Sequence, residues 1–275
     1  MSTIWLNGDL FAGERPAINA SDHGLLVGDG VFETAKVVDG EAFALTRHLA
    51  RLRRSADGLG LALPRTDDEL RDGVAAVIDA NQPGVGRLRI TVTGGPGPLG
   101  SARGEDGPTV VMATGPAGTW PPSAAVVVVP WPRNERSPVA GLKTTSYAEN
   151  VVALAHATEQ GAGEALFANL AGNLCEGTGS NVFVGLDGAL VTPPLSAGCL
   201  AGITRDLVIE TTGVVEADVS MDDFARADEA FLTSSTRDVQ PISTVDGRAL
   251  PHCPGPLSSA AAEAFAALMA LTLDP

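Results

Sequence analysis

The chain has 275 residues, and its 33 acidic and 18 basic side chains give a net charge of −15. Apolar residues make up 44% of the sequence and charged residues 19%, a globular composition that excludes a disordered, collagen-like or coiled-coil chain. The surplus of carboxylates argues against the basic surface that nucleic acids and anionic membranes require, so we expect neither as a partner.

The sequence also indicates where the protein works. Its first residues lack the basic start and continuous apolar stretch of a secretory signal, and its longest apolar runs are shorter than the roughly 20 residues of a membrane span. Cys175, Cys199 and Cys253 are scattered and form no CxxC pair, so neither a disulfide framework nor a metal site is predicted. We therefore expect a cytoplasmic protein.

The first part of the chain predicts hairpins followed by helices. Asn7-Gly8 and Asp39-Gly40 are strong two-residue turn signals, and Thr46 is expected to be the N-cap of a helix. A long loop rich in Gly and Pro then separates two strands with many β-branched residues. The predicted strands are Ile4–Leu6, Val31–Val38, Glu41–Leu45, Leu88–Thr93 and Thr109–Ala113, and the second helix is Asp67–Asn81.

The rest of the chain predicts a second mixture of strands and helices, with a further hairpin turn at Asp187-Gly188. Its predicted strands are Ala125–Val129, Ala165–Asn169, Asn181–Leu186 and Glu229–Thr233, and its helices are Glu149–Gln160, Thr204–Thr212 and Ser258–Leu271. Hairpins mixed with helices favour an α+β fold. We expect an N-terminal domain over 1–117, a linker over 118–122 and a C-terminal domain over 123–275.

Lysine is rare in this sequence, since Lys36 and Lys143 are two of 18 basic residues. A desolvated lysine can lose its proton and attack a carbonyl, whereas arginine stays protonated. Lys143 lies among small residues, four positions before Tyr147. On this local sequence alone, an exposed lysine at the end of a strand is the favoured interpretation, because surface lysines are the common case.

Three further segments hold groups of matching chemistry. Glu176 lies in a loop of small residues before a predicted strand, where a buried carboxylate needs a cation or several hydrogen bonds. Ile203 and Thr204 begin a predicted helix, whose free N–H groups and positive dipole end favour an anion. The hydroxyls of 233–236 follow another strand. Each segment alone could be an ordinary turn or cap, but together they supply an amine, an acid and two phosphate-binding ends.

The chain resembles the class IV aminotransferase family, the fold-type IV pyridoxal phosphate enzymes, over nearly its whole length. The resemblance is carried by six segments in the family's order and spacing: GDGVFET, RHLARL, GLKTTSY, CEGTGSNVF, GITRD and FLTSST. It implies a two-domain α+β subunit similar to D-amino-acid aminotransferase, with pyridoxal 5′-phosphate between the domains. It also implies a homodimer that acts on a small-molecule substrate.

The same resemblance implies roles for single residues. Lys143 would hold the cofactor covalently, Glu176 would face its pyridine nitrogen, and Tyr147 would lie near its ring. The residues implied on the cofactor phosphate are Arg51, Ile203, Thr204 and Ser235. Thr236 is expected to contact the substrate.

The family contains branched-chain, D-amino-acid and amine aminotransferases as well as 4-amino-4-deoxychorismate lyases. Thr34 resembles a threonine of the lyases that helps to deliver a proton to the departing enolpyruvyl group, although a strand threonine chosen for β-propensity is the alternative. We expect a lyase that releases pyruvate and 4-aminobenzoate, with Lys143 as general base. The alternatives are an aminotransferase acting on branched-chain or related amino acids, and a cofactor-binding or interaction protein without efficient turnover.

Three positions bear on how a substrate carboxylate would be bound. Gly94 stands where D-amino-acid enzymes and the well-known bacterial lyase carry an arginine, which argues strongly against the former and somewhat against the latter. Arg89 lies where branched-chain enzymes have an arginine near the substrate. Arg89 or Arg103 could bind a carboxylate, unless Arg89 is a strand-surface residue and Arg103 a solvated loop residue.

Overall fold

The computed structural model describes residues 2–13 and 17–275, which divide into two compact units. Unit 1 contains the chain up to Gly118 together with Leu142–Tyr147 and Thr272–Pro275, and unit 2 contains Thr119–Gly141 and Ala148–Leu271. The sequence predicts an uninterrupted second domain over 123–275, but two short segments of it group with unit 1 instead. Both are held there by hydrogen bonds to residues far away along the chain, as described below.

Unit 1 is built on an antiparallel sheet. Its elements are β1 (Thr3–Leu6), β2 (Asp9–Ala12), α1 (His23–Leu26), β3 (Gly30–Val38), β4 (Glu41–Ala42), α2 (Leu45–Leu59), α3 (Asp67–Asp79), β5 (Arg87–Thr93) and β6 (Thr109–Gly115). Among the described residues, six strands pair in the order β2-β1-β6-β5-β3-β4. The hairpin prediction at Asp39-Gly40 is confirmed, since both residues have positive φ (51° and 86°).

The two faces of this sheet differ because side chains alternate along each strand. Val31 and Ala35 of β3, with Leu88 and Ile90 of β5, lie in the hydrophobic core that also holds the apolar residues of α2 and α3. The intervening residues of β3 and β5 therefore point to the other face. On that face Thr34 lies directly across from Arg89.

The start of α2 differs from the prediction. The helix begins at Leu45, and the cap position belongs to Ala44, whose φ of 54° also ends the predicted strand Glu41–Leu45 early. Thr46 is therefore not the N-cap. Its backbone N–H donates to Asp274 Oδ1 at 2.9 Å, so a carboxylate 228 positions later satisfies this helix end. This contact anchors the last residues of the chain to unit 1.

Unit 2 is built on a larger, mixed sheet. Its elements are β7 (Ala124–Val128), α4 (Ala148–Glu159), β8 (Glu164–Ala168), β9 (Leu174–Gly177), β10 (Asn181–Leu186), β11 (Ala189–Thr192), a 3₁₀ turn (Leu195–Ala197), α5 (Ile203–Thr212), β12 (Val215–Glu216), α6 (Met221–Ala225), β13 (Glu229–Ser234), β14 (Asp238–Val245), β15 (Arg248–Ala249) and α7 (Pro256–Leu271). In the part of the chain that the structure describes, eight strands pair in the order β12-β11-β10-β13-β14-β7-β8-β9, and β15 pairs with β14. Apolar side chains pack on both faces, with Ala153 and Ala157 of α4 against Val127 and Phe167 on one of them.

The central strand β14 is absent from the sequence predictions. It carries Pro241, and a proline inside an apolar run argues against a central strand because it cannot donate to the ladder. In the structure β14 pairs antiparallel with β13, where Pro241 lies opposite Phe231, and parallel with β7. Within the described ranges, no helix is long and apolar enough to cross a membrane.

Candidate active site

Lys143 lies in unit 1 because its segment pairs with β3. Phe32 N–H donates to Lys143 O at 2.9 Å, and Thr145 N–H donates to Gly30 O at 2.8 Å. Lys143 N–H donates to Ser55 Oγ of α2 at 3.2 Å. These bonds fix the backbone of the segment against one strand and one helix, and they explain why it does not group with the rest of the predicted C-terminal domain.

The ring of Phe32 lies at the centre of the groups around Lys143. The Lys143 amine is 4.3 Å from the centroid of this ring, and the Arg89 guanidinium carbon is 3.4 Å from it. The Tyr147 ring meets Phe32 edge-on, with centroids 5.0 Å apart. An amine, a guanidinium and a phenol thus surround one aromatic side chain. The sequence prediction named Lys143, Tyr147 and Arg89 but missed Phe32, although Phe32 lies within the FET segment.

Arg89 and Thr34 are neighbours on the face of the sheet that is turned away from α2 and α3. Thr34 is half-buried and Arg89 is exposed along part of its length, with Nε donating to Thr91 Oγ1 at 3.2 Å. Burial against its surroundings lowers the pKa of Arg89, while Tyr147 and Glu33 act to raise it. The structure therefore places a cation and a hydroxyl beside the ring that contacts Lys143.

Arg51 belongs to a buried charge cluster that the sequence did not predict. Its Nε and Nη2 donate to the two oxygens of Glu33 at 2.8 and 2.7 Å, and His48 Nδ1 donates to Glu33 Oε2 at 2.6 Å. Burial alone would raise the pKa of Glu33, but the charges and hydrogen bonds of Arg51 and His48 hold it well below its ordinary value. Burial lowers the pKa of His48. The spacing of His48 and Arg51, three residues apart on one helix face, was the available sequence signal.

The sequence predicted that Arg103 could bind a substrate carboxylate, but in the structure its guanidinium is bound to other groups of unit 1. Its Nε and Nη2 form two hydrogen bonds of 2.7 Å to the carboxylate of Asp29, and Nη2 also donates to Leu59 O at 2.9 Å. These bonds attach the long loop of residues 94–108 to the end of α2. Substrate binding by Arg103 stays a prediction, since its guanidinium is bound to Asp29 and Leu59 in this structure.

Gly94 lies against the same carboxylate. A Cβ at this position would be only 2.4 Å from Asp29 Oδ2. An arginine here, as in the D-amino-acid enzymes, would displace the carboxylate to which Arg103 is bound. The packing thus agrees with the sequence argument that this chain lacks the D-amino-acid carboxylate clamp.

In unit 2, the Glu176 carboxylate of β9 contacts a backbone donor and a cation. Leu200 N–H donates to its Oε2 at 2.9 Å, and Arg133 Nε lies 3.3 Å from its Oε1. The Arg133 guanidinium also lies over the ring of Phe167, with its carbon 4.1 Å from the centroid. A neighbouring cation and a backbone donor both favour the charged form of Glu176. Sequence reasoning missed Arg133, which no motif in that segment indicated.

The N-terminus of α5 lies next to Asn181, the first residue of β10. Ile203 and Thr204, both buried, open the helix after Gly202, and the cap has no side-chain hydrogen bond. A Cβ at Gly202 would be 1.9 Å from Asn181 Oδ1, so only glycine permits this close approach. The confirmed helix start therefore presents backbone N–H groups rather than a capping side chain.

The turn after β13 lies at the same end of these two strands, because Asn181 at the start of β10 pairs with Thr233 near the end of β13. Ser235 and Thr236 form this turn and are half-buried. The buried Thr233 Oγ1 has no hydrogen-bond partner in the structure. Asn181 Nδ2 also donates to Leu200 O at 2.8 Å, and Leu200 N–H donates to Glu176. Asn181 and Leu200 thus connect the predicted residues of unit 2, which are Glu176, Ile203, Thr204, Ser235 and Thr236.

Each unit, taken by itself, holds groups that fit part of a phosphorylated pyridine aldehyde. The Lys143 amine of unit 1 suits an aldehyde. In unit 2, the open helix N-terminus and the adjacent hydroxyls suit a phosphate, the unpartnered Thr233 hydroxyl is a spare donor, and Glu176 suits a protonated ring nitrogen. No metal-binding cluster of His, Cys, Asp or Glu occurs among the residues that the structure describes.

The chain is similar in sequence to aminotransferases. The family model for amino-transferase class IV matches residues 30–245. A protein of Methanocaldococcus jannaschii named "Putative branched-chain-amino-acid aminotransferase" is 34% identical, covering 90% of this chain and 89% of its own. The D-alanine aminotransferase of Bacillus licheniformis is 32% identical, covering 93% of both chains.

Solved structures show the same architecture. A branched-chain aminotransferase from Thermoproteus uzoniensis with norvaline matches with a TM-score of 0.87 and 30% identity, covering 96% of this chain and 93% of its own. A Legionella pneumophila structure described as "Putative 4-amino-4-deoxychorismate lyase" matches with a TM-score of 0.86 over 94% of this chain and 96% of its own, but at 24% identity this likeness shows the fold alone. The chain is an α+β protein of the class IV aminotransferase family, whose cofactor is pyridoxal 5′-phosphate.

Proposed function

We propose that this protein is an aminotransferase that acts on branched-chain or related amino acids. Two of the relatives described above are named as enzymes of that kind, which favours this activity over the lyase expected from Thr34. The observation that carries the proposal is the arrangement around Phe32. It places the Arg89 cation and the Lys143 amine against the same ring, as a substrate with a carboxylate next to its reacting carbon requires.

The chain's own residues would divide the work as follows. Lys143 would hold the cofactor aldehyde, and its amine, once displaced by the amine of the substrate, would move a proton at the substrate's α-carbon. Glu176, which contacts Arg133 and the Leu200 N–H, would keep the pyridine nitrogen protonated. When bound, the cofactor supplies an electron sink for the developing carbanion. Arg89 would bind a substrate carboxylate, and Phe32 and Tyr147 would form an apolar wall beside it.

The phosphate of the cofactor would be bound chiefly by backbone and hydroxyl donors. Ile203 and Thr204 at the start of α5 supply N–H groups at the positive end of the helix dipole, and Ser235 supplies a hydroxyl. Arg51 is the cation that the resemblance assigns to the phosphate. Because Glu33 already occupies two of its nitrogens, we propose that Glu33 fixes the orientation of this guanidinium.

Aminodeoxychorismate lysis remains the second candidate because of one specific feature. The Thr34 hydroxyl lies on the same sheet face as Phe32 and across from Arg89, where it could deliver a proton to a departing group. The D-alanine activity of another relative finds no such support, because Gly94 has no side chain that could bind a carboxylate and packs against Asp29 Oδ2.

One set of assays distinguishes these activities. The purified full-length holoenzyme is mixed with 2-oxoglutarate and either L-valine, L-leucine, L-isoleucine or D-alanine, and separately with aminodeoxychorismate. Keto acid from the branched-chain amino acids supports the proposal, whereas release of pyruvate and 4-aminobenzoate alone supports the lyase. A bound yellow cofactor without turnover of any substrate would indicate a protein that binds the cofactor without catalysis.

The covalent role of Lys143 has a matched control in the chain. Borohydride reduction followed by peptide mapping is expected to place the pyridoxyl label on Lys143. Lys143→Ala is expected to abolish both the label and turnover, while Lys36→Ala, the other lysine, keeps both. A label on any other residue overturns the proposal.

We also propose that the protein is a homodimer, as the family resemblance implies. Sedimentation equilibrium of the holoenzyme is expected to give twice the chain mass of 28.0 kDa. A monomer that retains full activity would refute this part of the proposal.

A further inference from the structure

Arg237 turns its side chain into unit 2 directly after the Ser235–Thr236 turn. The side chain is 7% exposed, and its guanidinium donates to Gln240 Oε1 at 2.7 Å, Glu164 Oε2 at 3.1 Å and Gly163 O at 3.3 Å. The guanidinium carbon also lies 3.9 Å from the centroid of the Trp120 indole. This buried guanidinium has no role in the cofactor binding or proton transfer proposed above.

Its partner Glu164, at the start of β8, is 1% exposed and joins two loops through one carboxylate. Besides Arg237, it accepts hydrogen bonds from Thr178 N at 3.1 Å, from Ser180 Oγ at 3.0 Å and from Thr178 Oγ1. Thr178 and Ser180 lie in the loop that follows Glu176. Glu164 therefore ties the loop after the ring-nitrogen acid to the turn that holds the phosphate hydroxyls.

The geometry of that turn depends on the same arginine. Arg237 N–H donates to Ser234 O and to Ser234 Oγ, both at 3.2 Å, which closes the turn around Ser235 and Thr236. The next residue, Asp238, has a φ of 59°, so the chain leaves the turn in a left-handed conformation. The backbone bonds set the shape of the turn, and the Arg237 side chain fixes the turn to the sheet.

We propose that Glu164 and Arg237 are a positioning pair that holds the Ser235–Thr236 turn in the shape that binds the phosphate of the cofactor. This inference rests on the proposed function, because it needs the phosphate to be bound at this turn. The pair touches neither the phosphate nor the substrate itself. Its effect should therefore appear in binding that depends on the phosphate, and not in binding of the pyridine ring.

The experiment compares two ligands that differ only in the phosphate. Dissociation constants of pyridoxal 5′-phosphate and pyridoxal are measured on the apo form of the full chain by absorbance titration. The variants are Arg237→Met, Arg237→Lys and the double variant Glu164→Gln/Arg237→Met, with Arg226→Met as the control because Arg226 is an exposed arginine of the same unit. The double variant removes both buried charges and tests the inference even where the single change prevents folding.

In Arg237→Met and the double variant, we expect affinity for pyridoxal 5′-phosphate to fall by about ten- to a hundredfold, because a displaced turn would lose a hydrogen bond from its hydroxyls to the charged phosphate. Affinity for pyridoxal should change by less than about twofold, and Arg237→Lys should recover part of the loss. Equal weakening of both ligands, or a ratio of affinities like that of wild type, overturns the inference. A wild-type chain that binds neither ligand would instead refute the proposed function, and the inference with it.

Discussion

Glu33→Gln removes the negative charge from the buried cluster of unit 1 while preserving the shape of the side chain. In the wild type, the Glu33 carboxylate accepts two hydrogen bonds from Arg51, at 2.8 and 2.7 Å, and one from His48 at 2.6 Å. A glutamine has only one acceptor oxygen, so Arg51 keeps its charge but loses its bidentate partner. Removing one member of a buried ion pair costs about 3–5 kcal/mol, and we expect the free energy of unfolding of unit 1 to fall by that amount.

Hydrogen exchange of peptides from β3 and α2 measures this loss separately from unit 2, whose peptides serve as an internal reference. Glu69→Gln is the matched control. Glu69 completes an exposed capping box with Thr66 at the start of α3, and its neutralisation should cost much less stability than the loss of the buried Glu33 charge. If the two variants lose the same stability, Glu33 does not anchor the cluster and the reasoning is refuted.

The same variant predicts a dependence on pH. Arg51 and His48 hold the folded-state pKa of Glu33 well below its ordinary value of 4.5, against the effect of burial. A carboxylate with a depressed pKa adds stability that is present above its unfolded pKa and is lost as the pH falls through the folded value. The stability difference between wild type and Glu33→Gln should therefore shrink as the pH falls below about 4.5. A difference that grows as the pH falls below that value would contradict the sign of this argument.

Three further substitutions test the substrate and cofactor residues. Arg89→Met should raise the KM for the keto acid by about tenfold or more and leave the cofactor spectrum unchanged. Arg87 is an exposed arginine on the same strand face, and Arg87→Met should not change this KM. Equal effects of the two substitutions would exclude Arg89 as the carboxylate ligand. Thr34→Val should leave transamination within about threefold but reduce any pyruvate release by about tenfold or more, and a loss of both would place Thr34 in the shared machinery instead. Arg133→Met should alter the pH titration of the bound cofactor's absorbance, because Glu176 loses its neighbouring cation; a titration identical to wild type would show that Arg133 does not act on Glu176.

Local chemistry was enough to predict much of the secondary structure. The turns at Asp39-Gly40 and Asp187-Gly188 were read from two residues each, since an Asp-Gly pair adopts the left-handed conformations that a tight hairpin needs. The helix at Asp67 was predicted from its apolar spacing alone, and its capping box with Thr66 agrees with that prediction. In each of these cases the determinant and its effect lie within a few residues of each other.

The sequence predictions missed contacts whose determinant lies far away in the sequence. Thr46 was predicted as a cap because nothing nearby indicates that Asp274 supplies the acceptor. Arg103 was considered for substrate binding because its partner Asp29 lies 74 residues earlier. Lys143 itself was assigned to the C-terminal domain, although its segment pairs with β3. Long-range hydrogen bonds determine all three positions, and the spacing of apolar residues in the sequence gives no information about such bonds.

The alternation of β3 and β5 gives a physical reason why relatives of this fold can differ in activity. Val31 and Ala35 face the helices and are constrained by packing, since a change of volume there disturbs the core. Phe32, Thr34 and Arg89 face the other way, where a substitution alters a hydroxyl, a ring or a charge beside Lys143 without changing the volume of that core. Because one strand carries both sets in alternate positions, the fold can be kept while the residues beside Lys143 change. Substrate preference in this family should therefore follow these few outward positions more closely than overall identity.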